Sequence, residues 1–395
     1  MQVRSPFLAI PLLSSLLLGV GAMSTLTGCS TPPVASAQAV SFDRAIHAAT
    51  DTLFEQTQTL PMFLAKPGKQ TVVLDPTLDA DSGQQTVATQ RIDRSLGERV
   101  RKAPQFDLLP FESGSMASAH YLLVGSIARA QGGYRLNFAL LDIKTGLVVA
   151  QASALARQDG IDMKPLNYYR DSPVLTKDDT VEGYLRTTST PTGKAGDATY
   201  LGRIAAGTAI NEAATLYNAG RYADALAEYR KLHGTPAGNQ IRVLNGIYLS
   251  SAKLGRAAEA EEAFGRLAAY GLKQKNLSVK FLFNPGSTEF WADPRLTSAY
   301  SMWLRQIARQ ASISKICMDI VGHSSKTGPE AANDTLSARR ASLIRQKLTA
   351  DSNDLASRTR TVGMGSRKNL VGSGTDDVVD APDRRVDFTI VDCPA

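Results

Sequence analysis

Cysteine and histidine are scarce in this 395-residue chain, which has Cys29, Cys317 and Cys393, and His47, His120, His233 and His323. No histidine or carboxylate cluster accompanies the thiols, so the usual tetrahedral metal sites are excluded. The patterns HExxH, GxSxG and the phosphate-binding P-loop are missing, which removes the signatures of zinc proteases, serine hydrolases and nucleotide hydrolases. Gly363 to Lys368, GMGSRK, lacks the third glycine and the following helix of a dinucleotide loop and reads as a turn. The net charge of +7 is spread through all regions rather than gathered in blocks. Without basic residues interleaved with aromatics there is no stacking platform for nucleic acid. No catalytic residue, cofactor or metal ion is expected. What is present is 43% hydrophobic residues, enough for two or three real cores at this length.

Met1 to Val20 reads as a secretory signal, with Arg4 in a short basic start and an apolar run from Phe7 to Val20 broken only by Pro11 and small residues. That run is too short and too proline-marked for a good spanning helix. It closes on Leu26-Thr27-Gly28-Cys29, which resembles the bacterial lipobox. The resemblance implies cleavage before Cys29 and acylation of its thiol and amine, giving several buried chains where a single one holds only marginally. Ser30 at the next position resembles the pattern for forwarding to the outer membrane. The alternative is a plain secretory signal with an incidental cysteine. Thr31 to Val40, rich in Pro, Ala and Ser, suits a solvated tether.

Apolar residues at Phe42, Ile46, Ala49 and Leu53 predict an amphipathic helix over 41–59, and Ile92, Leu96 and Val100 a second over 86–102. Strands are expected at 71–74, 106–111, 121–129, 134–142 and, after the Lys144-Thr145-Gly146 turn, 147–152. This order resembles the small α/β domain of CsgG-like and penicillin-binding-protein-activator lipoproteins, which implies a protein-docking platform, with a spacer domain as the bland alternative. Residues 158–199, rich in Pro, Asp, Thr and Gly and without a period, read as a linker or a strap. In 200–272, Gly220, Tyr222, Ala225 and Tyr229 align with Gly255, Ala257, Ala260 and Phe264, a pattern that resembles tetratricopeptide repeats. A peptide-binding groove and a rigid spacer are both open readings for so short an array.

The most telling stretch is GHSSKTGPEAANDTLSARRA, from Gly322 to Ala341, followed by DAPDRRVDF from Asp380 to Phe388. With the preceding SVKFLFNPGSTEF, these segments resemble the OmpA-like peptidoglycan-binding domain, over roughly the last 120 residues. The resemblance implies that a loop and helix enclose the free, zwitterionic end of a diaminopimelate stem peptide. Arg340 matches the arginine that takes the carboxylate, a role suited to a planar fork of donors. Asn333, Leu336, Ser337, Arg340 and Ala341 recur at helical spacing and so share one side of a helix. Thr327 and Gly328 match the loop. Arg384 matches a pocket arginine, with Arg385 read as a solvated strand residue and Asp383 standing where asparagine is commoner. Ser325 stands where the family places an aspartate for the ligand ammonium. Asp334 and Glu330 lie near enough in sequence to replace that carboxylate. Loss of wall binding, with Arg340 merely pairing within the fold, is the bland alternative. The resembling fold also sets the strand at 316–322 antiparallel beside 385–391, which implies a Cys317–Cys393 disulfide in an oxidising compartment.

The expected architecture is thus multidomain α+β: a leader over 1–28, a tether over 29–41, an α/β domain over 42–157, a linker over 158–199, helical hairpins over 200–272 and an OmpA-like βαβαββ domain over 276–395. The expected activity is non-enzymatic tethering of the outer membrane to peptidoglycan from its periplasmic face. The alternative is an adaptor whose middle units recruit a periplasmic synthase or secretion component.

Overall fold

The computed structural model describes residues 38–58, 68–175, 177–291, 294–370, 372, 374–376 and 381–393. The expected leader, Cys29 and all but the end of the tether lie outside the described residues. Helix α1 (Phe42–Gln58) buries Phe42, Ala45, Ile46, Ala49 and Leu53, an apolar stripe at helical spacing. Strands β1 (Gln70–Leu74) and β2 (Leu78–Asp79) lead to α2 (Val87–Lys102), whose start is fixed by Thr86 and Thr89 bonding to each other's amides. Then follow β3 (Phe106–Leu109), the single turn α3 (Ser113–Met116), and a meander of β4 (Tyr121–Ala130), β5 (Gly133–Asp142) and β6 (Val148–Ala156). The sheet order is β3-β1-β4-β5-β6, with β1 parallel to both neighbours and β2 pairing β4 further along.

Both faces of this sheet are apolar. Phe106, Tyr121, Leu123 and Ile127 pack with α1 and α2, whereas Val73, Leu122, Val124 and Ala139 need a cover of their own. That cover is the stretch read above as a linker. It folds into α4 (Asn167–Asp171), α5 (Asp179–Thr188) and α6 (Ala198–Leu201). Val181, Tyr184 and Tyr200 close the second face, and the Tyr184 hydroxyl accepts from the Gly125 amide at 3.0 Å. The burial is carried by tyrosines set among turns, so no aliphatic period betrays it.

Four helices follow, α7 (Ile204–Asn218), α8 (Tyr222–His233), α9 (Ile241–Lys253) and α10 (Ala257–Lys273), each packed on the next. Gly220 and Gly255, at φ 77° and 71°, end α7 and α9 in the left-handed conformation that suits glycine. Part of this array is covered by the chain itself. Tyr168 of α4 lies edge-on to Tyr217 and stacked on Tyr229, and its hydroxyl donates to the Arg242 carbonyl at 2.6 Å.

The last unit runs β7 (Leu277–Lys280), α11 (Pro294–Thr297), α12 (Tyr300–Ile313), β8 (Cys317–Gly322), α13 (Glu330–Asp351), α14 (Leu355–Arg358), β9 (Thr359–Gly363) and β10 (Arg385–Val391). Its sheet order is β7-β10-β8-β9, with only β8 and β9 parallel. Val391 pairs with Cys317, which brings Cys393 into reach, and the two cysteines are disulfide-bonded. Trp303 of α12 stacks on Phe264 of α10 and donates to the Tyr248 hydroxyl at 2.8 Å, so the helical core continues into this unit. Val174 bridges Val279 on the outer edge of β7, so the stretch after α4 also shields a sheet edge. Residues 34–395 form one compact unit. Among the described residues, no helix is long and apolar enough to cross a membrane.

Candidate functional site

Two glycines let the site form. Gly322 of β8 and Gly363 of β9 are register partners, and α13 lies directly on them. A Cβ at Gly322 would sit 2.1 Å from the Ser337 carbonyl oxygen, and one at Gly363 2.7 Å from that of Asp334. Only a strand pair without side chains admits the helix this closely. Ser337 then accepts from the Gly365 amide at 2.9 Å, tying the helix to the loop after β9.

The amino-terminal half of α13 is thereby held beside the loop 323–329. Asn333 donates its side-chain amide to the carbonyls of Thr327, at 3.0 Å, and Gly328, at 3.4 Å. It holds the loop. Gly328 turns at φ 87° with open space where a side chain would be, and Thr327 donates to the Gly374 carbonyl at 3.2 Å. Between helix and loops lies a cavity of about 500 Å³ lined by Ser325, Thr327, Asn333, Arg339, Arg340 and Asp376, among others.

Arg340 is almost fully buried. Its Nε donates to the Ser287 carbonyl and one terminal nitrogen to that of Asn284, both at 3.1 Å, while the guanidinium lies over the Phe283 ring. Among the described residues, Nη1 has no acceptor. Burial, and then the like charge of Arg384, pull the Arg340 pKa down to about 10. The Asp376 carboxylate acts in the opposite direction without outweighing them.

Asp376 lines the same cavity. Its Oδ1 accepts from the Ser325 hydroxyl and lies 3.4 Å from Arg384 Nη1. Its backbone is left-handed, at φ 53°, a conformation aspartate tolerates better than most residues. The two carboxylates considered from sequence face elsewhere. Asp334 is bonded to Arg367 at 2.6 and 2.8 Å, and Glu330 lies 3.5 Å from the same guanidinium. Asp334 follows Asn333 by one residue, which turns it about 100° away from the Asn333 side of the helix.

Behind the loop, His323 Nε2 is 2.8 Å from Asp387 Oδ2, whose other oxygen accepts from Ser278 at 2.6 Å and Arg385 Nε at 3.0 Å. Burial acts to raise the Asp387 pKa, but the His323 hydrogen bond and the Arg385 charge bring it down to about 2. Arg385 is therefore no solvated strand residue. It is buried, and also donates to the Lys368 carbonyl at 3.1 Å. Asp383, fully buried, accepts from the amides of Leu370 and Gly372 at 2.5 and 2.6 Å and shapes the loop that carries Asp376.

Of the residues singled out from sequence, Ser325, Thr327, Asn333 and Arg340 share one cavity. Arg384 stands behind it, next to Asp376, and Gly328 only shapes the loop. Asp376 and the exposed Arg339 are additions that the sequence reading missed. A GSGTDD loop just before an arginine pair was the available signal for Asp376.

Residues 282–381 match the OmpA family. The chain thus carries an OmpA-family domain near its carboxyl terminus. Solved structures that resemble it include an outer membrane protein from Borrelia burgdorferi (26% identity, 30% of this chain, 88% of that one, TM-score 0.22). Others are the peptidoglycan-associated lipoprotein from Burkholderia pseudomallei (24%, 29% and 89%, 0.23) and the cell-wall anchor of the type VI secretion system from Pseudomonas aeruginosa (21%, 32% and 95%, 0.25). No curated protein matches the chain.

Proposed function

We propose that this chain is a non-enzymatic envelope protein that holds peptidoglycan through the cavity beside α13, with Cys29 as its lipid anchor in the outer membrane. The observation that carries the reading is the buried Arg340 guanidinium, which among the described residues is held by the Ser287 and Asn284 carbonyls rather than by a carboxylate, beside a cavity of about 500 Å³ that Asp376 also lines. Such a site suits a ligand with a carboxylate for the arginines and an ammonium for Asp376, as at the free end of diaminopimelate. Ser325 supplies no charge of its own, and holds Asp376 in place of the aspartate expected there. Thr327, Gly328 and Asn333 set the loop that forms the cavity's wall. The match to the OmpA family supports the same reading.

Membrane anchor and wall site then act as a bivalent tether, each raising the effective concentration of the other, so that a wall site of modest affinity is still occupied. The α/β unit and the helical hairpins brace the two ends. Recruitment of a partner through the helical array finds less support, because Tyr168 of α4 packs on Tyr217 and Tyr229 and covers part of it.

The test is cosedimentation of the detergent-solubilised full-length protein with diaminopimelate-type sacculi, with free diaminopimelate as competitor. Pelleting that the competitor abolishes is the expected result. A folded protein that stays in the supernatant, or pellets regardless of competitor, would overturn the proposal.

A further inference from the structure

The loop that brings Asp376 to the cavity is gripped from outside its own domain. Arg129 stands at the end of β4, next to the hairpin that turns at Gly132 and Gly133 into β5. Its backbone amide donates to Asp81 Oδ2 at 3.2 Å and its Nε lies 3.8 Å from the same oxygen, which orients the side chain. A terminal nitrogen then donates to the Leu370 carbonyl. The other reaches Gly372, where a Cβ would stand 2.5 Å from it, so this approach needs a glycine, and Gly372 is left-handed at φ 61°. On the inner side of the same turn, Asp383 takes the amides of Leu370 and Gly372, and Asn369 donates to the Ser324 carbonyl at 3.1 Å. The turn is thus clamped between Asp383 within the OmpA-family domain and Arg129 from the α/β unit, and Asp376 follows it by a few residues.

Resting on the wall-binding reading above, we infer that Arg129 is a positioning residue for the site. It fixes Leu370 and Gly372, a few residues before Asp376, so that the Asp376 carboxylate meets the ligand ammonium, which makes the wall site a composite of two units. Wall affinity then depends on how the β4–β5 hairpin is seated, and a partner that moves the hairpin would tune the grip on the wall.

The experiment uses two synthetic stem peptides ending in diaminopimelate, one with its side-chain amine free and one with that amine acetylated, titrated calorimetrically into the full-length protein in detergent. Wild type should prefer the free amine by about tenfold, the value of one charge-assisted contact. Arg129→Ala should lose that preference and keep wild-type affinity for the acetylated peptide, which no longer engages Asp376. Arg129→Lys, which retains one donor to the Leu370 carbonyl, should recover part of the preference. Gly372→Ala should repeat the Arg129→Ala result by pushing the guanidinium away. Arg129→Ala combined with Asp376→Asn should be no worse than Asp376→Asn alone. An Arg129→Ala protein that keeps the full preference, or weakens equally for both peptides, would overturn the inference. A wild type that binds neither peptide would instead sink the wall-binding reading on which it rests.

Discussion

Two arginine centres inside this protein reach opposite electrostatic states. Burial would lower the pKa of Arg242, on α9, but Tyr169, Asp178 and Asp75 outweigh it and raise the value above the ordinary one. The cavities beside Arg242 hold only about 20 and 30 Å³. At Arg340 burial outweighs the attraction of Asp376, a second arginine adds to its effect, and about 500 Å³ lies open alongside. An arginine whose charge is balanced, with no room beside it, is cement between units. One whose pKa is drawn down by burial and a like charge, beside an open cavity, is the kind of site proposed above for an anion.

The comparison can be broken most forcefully at the cement. Tyr168→Ala empties a site packed by three other tyrosines and should cost about 3 to 5 kcal/mol in a urea melt. Sacculus binding per folded molecule should be unchanged. If 158–199 were a loose linker, the melt would barely move.

At the receptor, Arg384→Gln removes half of the cationic pair and leaves Asp376 without that partner. Affinity for the free-amine stem peptide should fall by roughly tenfold to a hundredfold. Equal affinity would mean that Arg384 serves the fold alone.

The two regions should also answer pH in opposite directions. Burial raises Asp93 to about 7 and Asp75 and Asp79 to about 6, so the folded α/β unit holds protons that the unfolded chain has released. These three therefore favour folding most in acid, and that contribution is lost as pH rises from about 4 to about 7. Asp387 is the reverse. Its folded pKa of about 2 lies below the ordinary 3.8, so its contribution is present above that range and is lost as pH falls towards 2. Stability should peak near about pH 4 to 5, and Asp93→Asn should flatten the alkaline side of the profile. A profile that rises steadily to pH 8 would contradict the assignment.

The smallest effect is expected from Ser325→Asp. Because Ser325 bonds Asp376, a second carboxylate there meets a like charge, and little affinity should be gained. In the Asp376→Asn background the same substitution should restore the preference for a free amine.

The carboxy-terminal unit was largely legible in the sequence because its signals are local. The spacing of Asn333, Ser337 and Arg340 follows from a helix, whereas the pairing of the strands at 317–322 and 385–391, and the disulfide with it, is long-range and was expected only from the resemblance to the OmpA-like domain. The first two helices of the α/β unit were legible for the same reason, each carrying an apolar stripe at helical spacing. Asp376 was not legible, since its value depends on the chain folding back to Ser325, 51 residues earlier. The helices of 158–199, a stretch expected to be a linker or a strap, were not legible for another reason. Its Pro, Asp and Thr make caps and turns, such as Asp178 capping α5 while also accepting from the Ile241 amide, and its tyrosines bury rings without a period. Composition records the turns and is silent about the rings.

The central claim is that Arg340, beside the cavity at α13, takes a ligand carboxylate. It is tested most directly by calorimetry on the full-length protein, with a diaminopimelate stem peptide compared with the same peptide amidated at its side-chain carboxylate. The account predicts binding of the free acid and a loss of roughly tenfold to a hundredfold on amidation. Equal binding of both peptides, or binding of neither by a folded protein, would contradict it.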